Sequence, residues 1–412
     1  MSLLRNSVWN LLGFILPALA IIPAFGVIAR LLDIEQFGIF TLCFAVMGYA
    51  SVFDVGMARA VIRSVAMKQG DEPEVKRIIS TASAVVLILS LVTGFFFYIY
   101  SGSLVRILSV STEYMREAQE SFELLALAMP AFLLSTVWFA YLEGSQRFYK
   151  LNVLKSIYGL LMAVMPLGAV VYQPSLVSSI AGLVLARYLT LVIAYFWSLP
   201  RLTLTKLFKF YTGTFKELLG FGGWITVSNL ISPIMVYFDR FFISSITGTK
   251  DIAFYTTPSE AVSRLSFLPT SVVRVIFPKI SARGENYKKD TMLSYWIVGA
   301  ACAIVSLIGV LGAKYILLIW MGEPYTGIAA TVLSILLVGY FFNSLAQVPY
   351  AVIQAGGHSK VTALLHMAEL IPYIGLLYIL IHGYGMIGAA IAWSIRVFID
   401  YLALLILSRK YH

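Results

Sequence analysis

"IISTASAVVLILSLVTGFFFYIY", residues Ile78 to Tyr100, contains no Asp, Glu, Lys or Arg. As a helix it is about 34 Å long, enough to cross a hydrocarbon layer of about 30 Å. Runs of this kind recur. Hydrophobic residues make up 60% of the 412-residue chain and charged residues 12%, with a mean hydropathy of +0.87. A globular chain carries about 25% charged residues, and a soluble core cannot absorb this much apolar surface. The sequence therefore predicts an all-α integral membrane protein.

Apolar windows bounded by charges and Gly/Pro clusters predict twelve transmembrane helices. The first six cover Val8–Ala29, Phe37–Met57, Ile78–Tyr100, Phe122–Leu142, Val153–Val171 and Val177–Trp197. The second six cover Leu218–Ile243, Ile252–Phe277, Met292–Ile319, Ile328–Ile353, Val361–Ile381 and Met386–Leu407. The first window contains a small-residue triplet, Ala18-Leu19-Ala20, yet continues to Ala29, which is too long for a secretory h-region, so it reads as a retained helix. Cys43 and Cys302 both fall in apolar spans and read as small buried hydrophobes.

Orientation follows from Lys and Arg in the short connections. With both termini cytoplasmic, 20 basic residues fall inside, among them Arg59, Arg63, Lys76, Arg77, Lys206, Lys209 and Lys216. Only three, Arg106, Arg116 and Lys250, fall outside. The formal charge of +10 is thus largely topological, and nucleic acid is not the expected partner.

The basic connection "RLTLTKLFKFYTGTFKELLGFGG", Arg201 to Gly223, separates six helices from six. This predicts an N-terminal lobe over 1–200, a cytoplasmic linker over 201–217 and a C-terminal lobe over 218–412. The linker alternates lysines with Phe208, Phe210 and Phe215, which suits the cytoplasmic lipid surface. A shift of 215 residues lays Ile28–Thr41 over Ile243–Thr256 without a gap and aligns Arg59 with Arg274. Both halves begin and end inside, so the lobes are expected to be related by a pseudo-two-fold along the membrane normal, with a substrate path between them.

Ionisable residues at bilayer depth cost at least about 2.5–3.5 kcal/mol and face a partner or a wet cavity. Such positions here are Arg187, Glu260, Arg264, Glu369 and Arg396, with Asp54, Arg274 and Asp400 deeper toward the cytoplasm and Arg30, Asp239 and Arg240 toward the outside. Glu260 with Arg264, and Arg396 with Asp400, are spaced to pair on one helix face. Asp239 and Arg240 are adjacent in "VYFDRFFISSITG", point about 100° apart and need separate partners. Arg187 and Arg274 have no acid three or four residues away, and Arg30 is grouped with them. Guanidinium groups left without intrahelical partners suit forked recognition of phosphate oxygens, and contacts to carbonyls or to acids on other helices are the structural alternative. Asp54 and Glu369 lack local partners and are candidates for ion coupling, while His366 reads as a polar residue beside Glu369. Pro17, Pro23, Gly222, Gly223, Pro233, Pro258 and Pro269 interrupt helices where bending is possible.

The stretches "VIARLLDIEQFGIFTL", "DVGMARAVIRSVA", "YFDRFFISSITGTKDIAFYTTPSEAV" and "LPTSVVRVIFPKIS" resemble the polysaccharide repeat-unit, or O-antigen, flippases of the multidrug/oligosaccharidyl-lipid/polysaccharide exporter superfamily. Arg30, Phe37, Gly38, Gly56 and Arg63 occupy the first signature; Asp239, Tyr255, Pro278 and Ser281 occupy the second, with Ala253 in place of an expected Gly. The resemblance implies a two-lobed alternating-access transporter of the bacterial inner membrane. Its substrate would be an oligosaccharide on undecaprenyl diphosphate, and its partners membrane lipids and polysaccharide polymerase machinery. Arg30, Arg187, Arg264, Arg274 and Arg396 would then bind the diphosphate or sugars, and Asp54, Asp239, Glu260, Glu369 and Asp400 would couple or gate. Trp138, Tyr141, Tyr158, Trp224 and Tyr237 are candidate sugar-stacking rings. No Walker motif, nucleophile–base cluster or metal-ligand spacing occurs, so no cofactor is expected. A multidrug cation antiporter, whose cavity would be rich in unpaired carboxylates, is the nearer alternative, and a membrane glycosyl or phosphoryl transferase the more distant one.

Overall fold

The computed structural model describes residues 17, 19–198, 204–273, 287–356 and 358–410, and every extended element among them is helical. Helix α1 is Leu19–Leu31 and α2 Ile34–Ala50, followed by a 3-10 turn, Ser51–Asp54, and α3, Met57–Met67. Next come α4 Glu72–Ile99, α5 Ser101–Ile107, α6 Met115–Gly144, α7 Phe148–Tyr172, α8 Leu176–Ser198, α9 Leu204–Leu207 and α10 Thr212–Thr247. Then follow α11 Ala253–Leu265, a helical stretch α12 over 267–273, α13 Tyr287–Trp320, α14 Ile328–Ala355 and α15 Ser359–Lys410. The start of the expected first span at Val8 and the end of the eighth beyond 273 lie outside the described residues, as does Arg274.

Seven of these helices are each long and apolar enough to cross a membrane, with α15 counted once although it joins two helices across Gly385. At Gly385 φ is +55°, a left-handed conformation that glycine adopts without strain. In a straight helix Leu380 and Gly388 would stand about 12 Å apart. Instead a Cβ on Gly388 would overlap the Leu380 carbonyl, so the chain reverses there, between the expected eleventh and twelfth spans.

The opening stretch sits in α4, which starts ahead of the apolar run. Asp71 caps it, with Oδ1 accepting from the Glu74 N–H at 3.1 Å, and Pro73 occupies the first turn, where a missing N–H costs nothing. The charged residues 72–77 thus become the wet first turns of a spanning helix.

The chain divides into two compact units, Met1–Phe238 and Asp239–His412, and the division falls within α10. In the first unit α6 packs against α4 and α8, and α8 against α7. Its core includes Ile79, Ala82 and Val86 of α4 with Leu133, Val137 and Trp138 of α6, and Leu207 and Leu218 are drawn into it. On the side assigned to the exterior, Glu117 Oε2 accepts from Gln36 Nε2 at 2.8 Å and Oε1 from the Leu176 N–H at 2.7 Å. Glu35 accepts from the Ser111 N–H at 2.9 Å, so three connections of this unit are tied together by charged hydrogen bonds.

In the second unit α14 packs against α11, α13 and α15. Hydroxyls join these helices: Ser306 Oγ donates to the Leu337 carbonyl at 3.0 Å, Ser394 Oγ to the Ile335 carbonyl at 2.9 Å, and the Tyr295 and Tyr401 hydroxyls bond each other. Lipid offers no apolar driving force between helices, so association rests on such bonds and on close packing. The outward face of α13 exposes Trp296, Ile304, Leu311 and Ile319, as a lipid-facing helix should.

Close packing joins α7 to α8. A Cβ on Gly182 would lie 2.5 Å from the Met165 carbonyl oxygen and 2.7 Å from the Pro166 Cα, both backbone atoms that cannot swing aside. We predict that Gly182→Val destabilises the detergent-purified protein by about 1–3 kcal/mol. A thermal-shift assay checks this, and an unchanged melting temperature would contradict the crossing.

Candidate functional site

On α8 the buried positions Leu183, Arg187, Thr190 and Ala194 recur at three- and four-residue intervals, so Arg187 belongs to the inward face. It is 6% exposed. Its guanidinium carbon lies 4.5 Å from the centre of the Phe132 ring on α6 and 4.8 Å from that of Tyr158 on α7. Nε has no hydrogen-bond partner, and among the described residues no carboxylate lies within ion-pair distance. Cation–π contacts contribute about 0.5–2 kcal/mol each, whereas removing a cation from water costs several kcal/mol. Arg187 is therefore under-compensated.

Asp54 ends the 3-10 turn and is buried. Its Oδ1 accepts from the Gly56 N–H at 2.8 Å, and both Val55 and Gly56 have positive φ. The carboxylate holds this left-handed turn at the positive end of the α3 dipole. Arg30, at the end of α1, is exposed and stands three residues before Asp33, so grouping it with arginines remote from local acids does not hold.

In the second unit the adjacent pair Asp239 and Arg240, 3% and 1% exposed, finds its partners on α11. Tyr255 donates its hydroxyl to Asp239 Oδ2 in a short bond. Arg240 Nη1 meets Glu260 Oε1 at 2.7 Å. Glu260 also holds Arg264 at 3.5 Å, so the spacing-based pair forms and Glu260 bridges two arginines. Two acids and two bases thus balance across α10 and α11.

The second spacing-based pair does not form. Asp400 Oδ1 faces His366 Nε2 at 3.6 Å instead, and the His366 ring stacks on Tyr350 with centroids 5.9 Å apart. Arg396 lies over the Tyr373 ring at 5.2 Å, and its Nε and Nη1 are buried without hydrogen-bond partners. The reversal at Gly385 explains the exchange: it brings the first half of α15 alongside the second and offers Asp400 an imidazole and Arg396 a ring face. Glu369 lies in the electrostatic field of Asp400, Arg396 and His366, and its nearest polar partner is the Asp400 carboxyl, another acid.

Sequence reasoning missed Tyr255 and Tyr373 as partners of charge and read His366 too blandly, because those contacts are made between helices. Trp138 donates Nε1 to Ser83 Oγ at 3.1 Å within the first core, and the Tyr141 ring lies 5.7 Å from the Arg147 guanidinium. The side chains of Trp224 and Tyr237 lie outside the described ones. Chemically, the arrangement offers cations held by aromatic faces and acids short of partners.

A family model described as polysaccharide biosynthesis protein matches residues 3–284. A protein of Shigella flexneri named "Putative O-antigen transporter" is 41% identical over 406 residues, covering 98% of this chain and 97% of its own. Among solved structures, the lipid II flippase MurJ in an inward closed conformation superposes with a TM-score of 0.81 at 16% identity, covering 98% of this chain and 87% of that one. An inward-facing multidrug resistance MATE transporter of the MOP superfamily gives 0.79 at 17% identity, covering 98% and 94%. At such identities the structures establish the fold, an all-helical two-lobe transporter fold.

Breaking a buried ion pair by removing one member costs about 3–5 kcal/mol, whereas replacing both members with apolar groups costs far less. Glu260→Ala is therefore expected to lower stability by that amount, and Arg240→Met with Glu260→Leu to recover most of it. Chemical denaturation in detergent measures the cycle; equal losses in the single and double variants would remove the bridge from the account.

Proposed function

The chain belongs to the polysaccharide biosynthesis protein family, and on that premise we propose that it is a flippase. It moves undecaprenyl-diphosphate-linked oligosaccharide repeat units from the cytoplasmic to the periplasmic leaflet by alternating access. It works as a transporter and not as an enzyme. The reading extends the O-antigen role carried in the name of the Shigella relative and draws on a fold shared with a lipid flippase. It places the protein in the bacterial inner membrane as twelve helices with both termini cytoplasmic, lobes over 1–200 and 218–412, and a linker over 201–217. Polysaccharide polymerase machinery is the expected downstream partner.

The physical task has two parts. A polyprenyl tail can stay in lipid, whereas each sugar hydroxyl or phosphate stripped of water needs a partner. The observation that carries the proposal is Arg187, a guanidinium buried among rings with no carboxylate to neutralise it. A diphosphate supplies the missing charge and accepts the forked hydrogen bonds that rings cannot. Arg396, with two nitrogens lacking hydrogen-bond partners, is the corresponding cation of the second unit. Arg264, shared with Glu260, contributes to the sugar-phosphate path secondarily, and Arg30 and Arg274 do so toward its ends. Asp239 and Glu260 brace α10 on α11 as gating residues, and Glu369, Asp400 and Asp54 are the coupling acids.

Removing the protein from its host is expected to leave lipid-linked oligosaccharide on the cytoplasmic leaflet and to deplete the surface glycan. Charge-assisted hydrogen bonds contribute about 1.5–3 kcal/mol, so Arg187→Ala should cut transport roughly tenfold to a hundredfold while membrane insertion persists. Arg187→Met, which fills the space without charge, should fail equally. Complementation by the Met variant would assign Arg187 to packing, and normal surface glycan without the protein would overturn the proposal.

A further inference from the structure

From 204 onward, the stretch leading into α10 is fixed to α4 at two points. Ser80 Oγ donates to the Lys206 carbonyl at 2.6 Å, and the Tyr211 N–H donates to Thr81 Oγ1 at 3.3 Å. Leu207 and Leu218, 0% and 1% exposed, are set into the same core as Ile79 and Trp138. With those two leucines turned inward, Lys206, Lys209, Phe210 and Lys216 remain exposed.

Tyr211 gathers more charge. The Arg77 guanidinium and the Lys209 ammonium each lie 5.5 Å from the centre of its ring. Two cations against one ring repel each other, and a bound anion relieves that repulsion. Nearby acids do so only in part: Glu74 meets Arg77 at 3.4 Å and Glu72 meets Lys76 at 3.6 Å, while Glu217 stands exposed beside Lys216. From 206 to 217 three lysines face one glutamate.

Depth identifies the anion. Ser80 and Thr81, which hold the segment, stand at the start of the uncharged run of α4, where the hydrocarbon begins. Phe210, half exposed and 5.3 Å from the Phe215 ring, sits among the lysines at that level. A soluble acidic partner has no use for an apolar side chain there. A lipid does, because its phosphate meets the cations while its glycerol and upper acyl chain meet the phenylalanine.

The geometry points to a docking site for anionic phospholipid headgroups, formed by Arg77, Lys206, Lys209 and Lys216 around Tyr211, with Phe210 inserted at the acyl boundary. The site is separate from the path of the transported headgroup. It anchors the stretch between α9 and α10 of the first unit to the cytoplasmic leaflet.

Cys43 and Cys302 are buried, so Phe210→Cys accepts an environment-sensitive fluorophore selectively. The labelled, full-length protein is reconstituted into phosphatidylcholine vesicles with and without phosphatidylglycerol. Emission should brighten and shift to the blue when phosphatidylglycerol is present, and added salt should reverse the change. Each lysine near an anionic surface multiplies affinity about fivefold, so Lys206→Gln with Lys209→Gln and Lys216→Gln should raise the phosphatidylglycerol requirement about a hundredfold. The corresponding triple arginine variant should keep the response, which separates lost charge from misfolding. Identical emission in both vesicles, or a response that survives the triple Gln substitution, overturns the site. So does a response to a polyprenyl diphosphate in phosphatidylcholine that phosphatidylglycerol cannot elicit, because the patch would then belong to the transported substrate.

Discussion

The low dielectric of the membrane sets the terms for every charge this protein buries. An ion taken out of water loses several kcal/mol of solvation and regains it only from a well-placed counter-charge or hydrogen bonds. The second unit meets this demand with a chain of contacts, in which Tyr255 serves Asp239, and Glu260 is shared between Arg240 and Arg264. That chain joins α10 to α11, so the charges that seemed misplaced in "VYFDRFFISSITG" specify which helices neighbour each other. The cost of separating them makes the pairing unique.

The same demand is left partly unmet at Arg187 and Arg396. Rings cover both guanidinium groups and the Tyr158 hydroxyl serves Arg187, but Nε of each arginine has no acceptor, and ring faces cannot accept the in-plane hydrogen bonds that a guanidinium donates. A protein built only for stability would replace these residues with apolar ones of similar volume. Keeping them suits a molecule that must receive an anion in the membrane and release it again, since an arginine already clasped by a carboxylate would have to break that pair first. Glu369 is the acidic counterpart, set against another carboxyl, Asp400.

The spanning helices were legible because the signal is one of composition over long windows. α6, α7, α8, α13 and α14 enclose the windows read from sequence, and α4 covers all but the last residue of its own, with polar turns added at helix ends. The charge pairs were legible only where both members share one helix and nothing better competes. Glu260 and Arg264 satisfied that condition. Arg396 and Asp400 did not, because the reversal at Gly385 brings His366 and Tyr373 within reach, and no local spacing announces those contacts. Arg187 was legible as a charge without a local acid, but the rings of Phe132 and Tyr158 that hold it come from α6 and α7 and are set by packing.

The most direct measurement is equilibrium binding of a short-chain prenyl diphosphate and the matching prenyl alcohol to the purified protein, followed by native mass spectrometry. If Arg187 is the cation that waits for phosphate, the diphosphate is retained in clear preference to the alcohol, and Arg187→Gln weakens that preference about tenfold or more. Equal retention of the two ligands, or a preference untouched by Arg187→Gln, would contradict it.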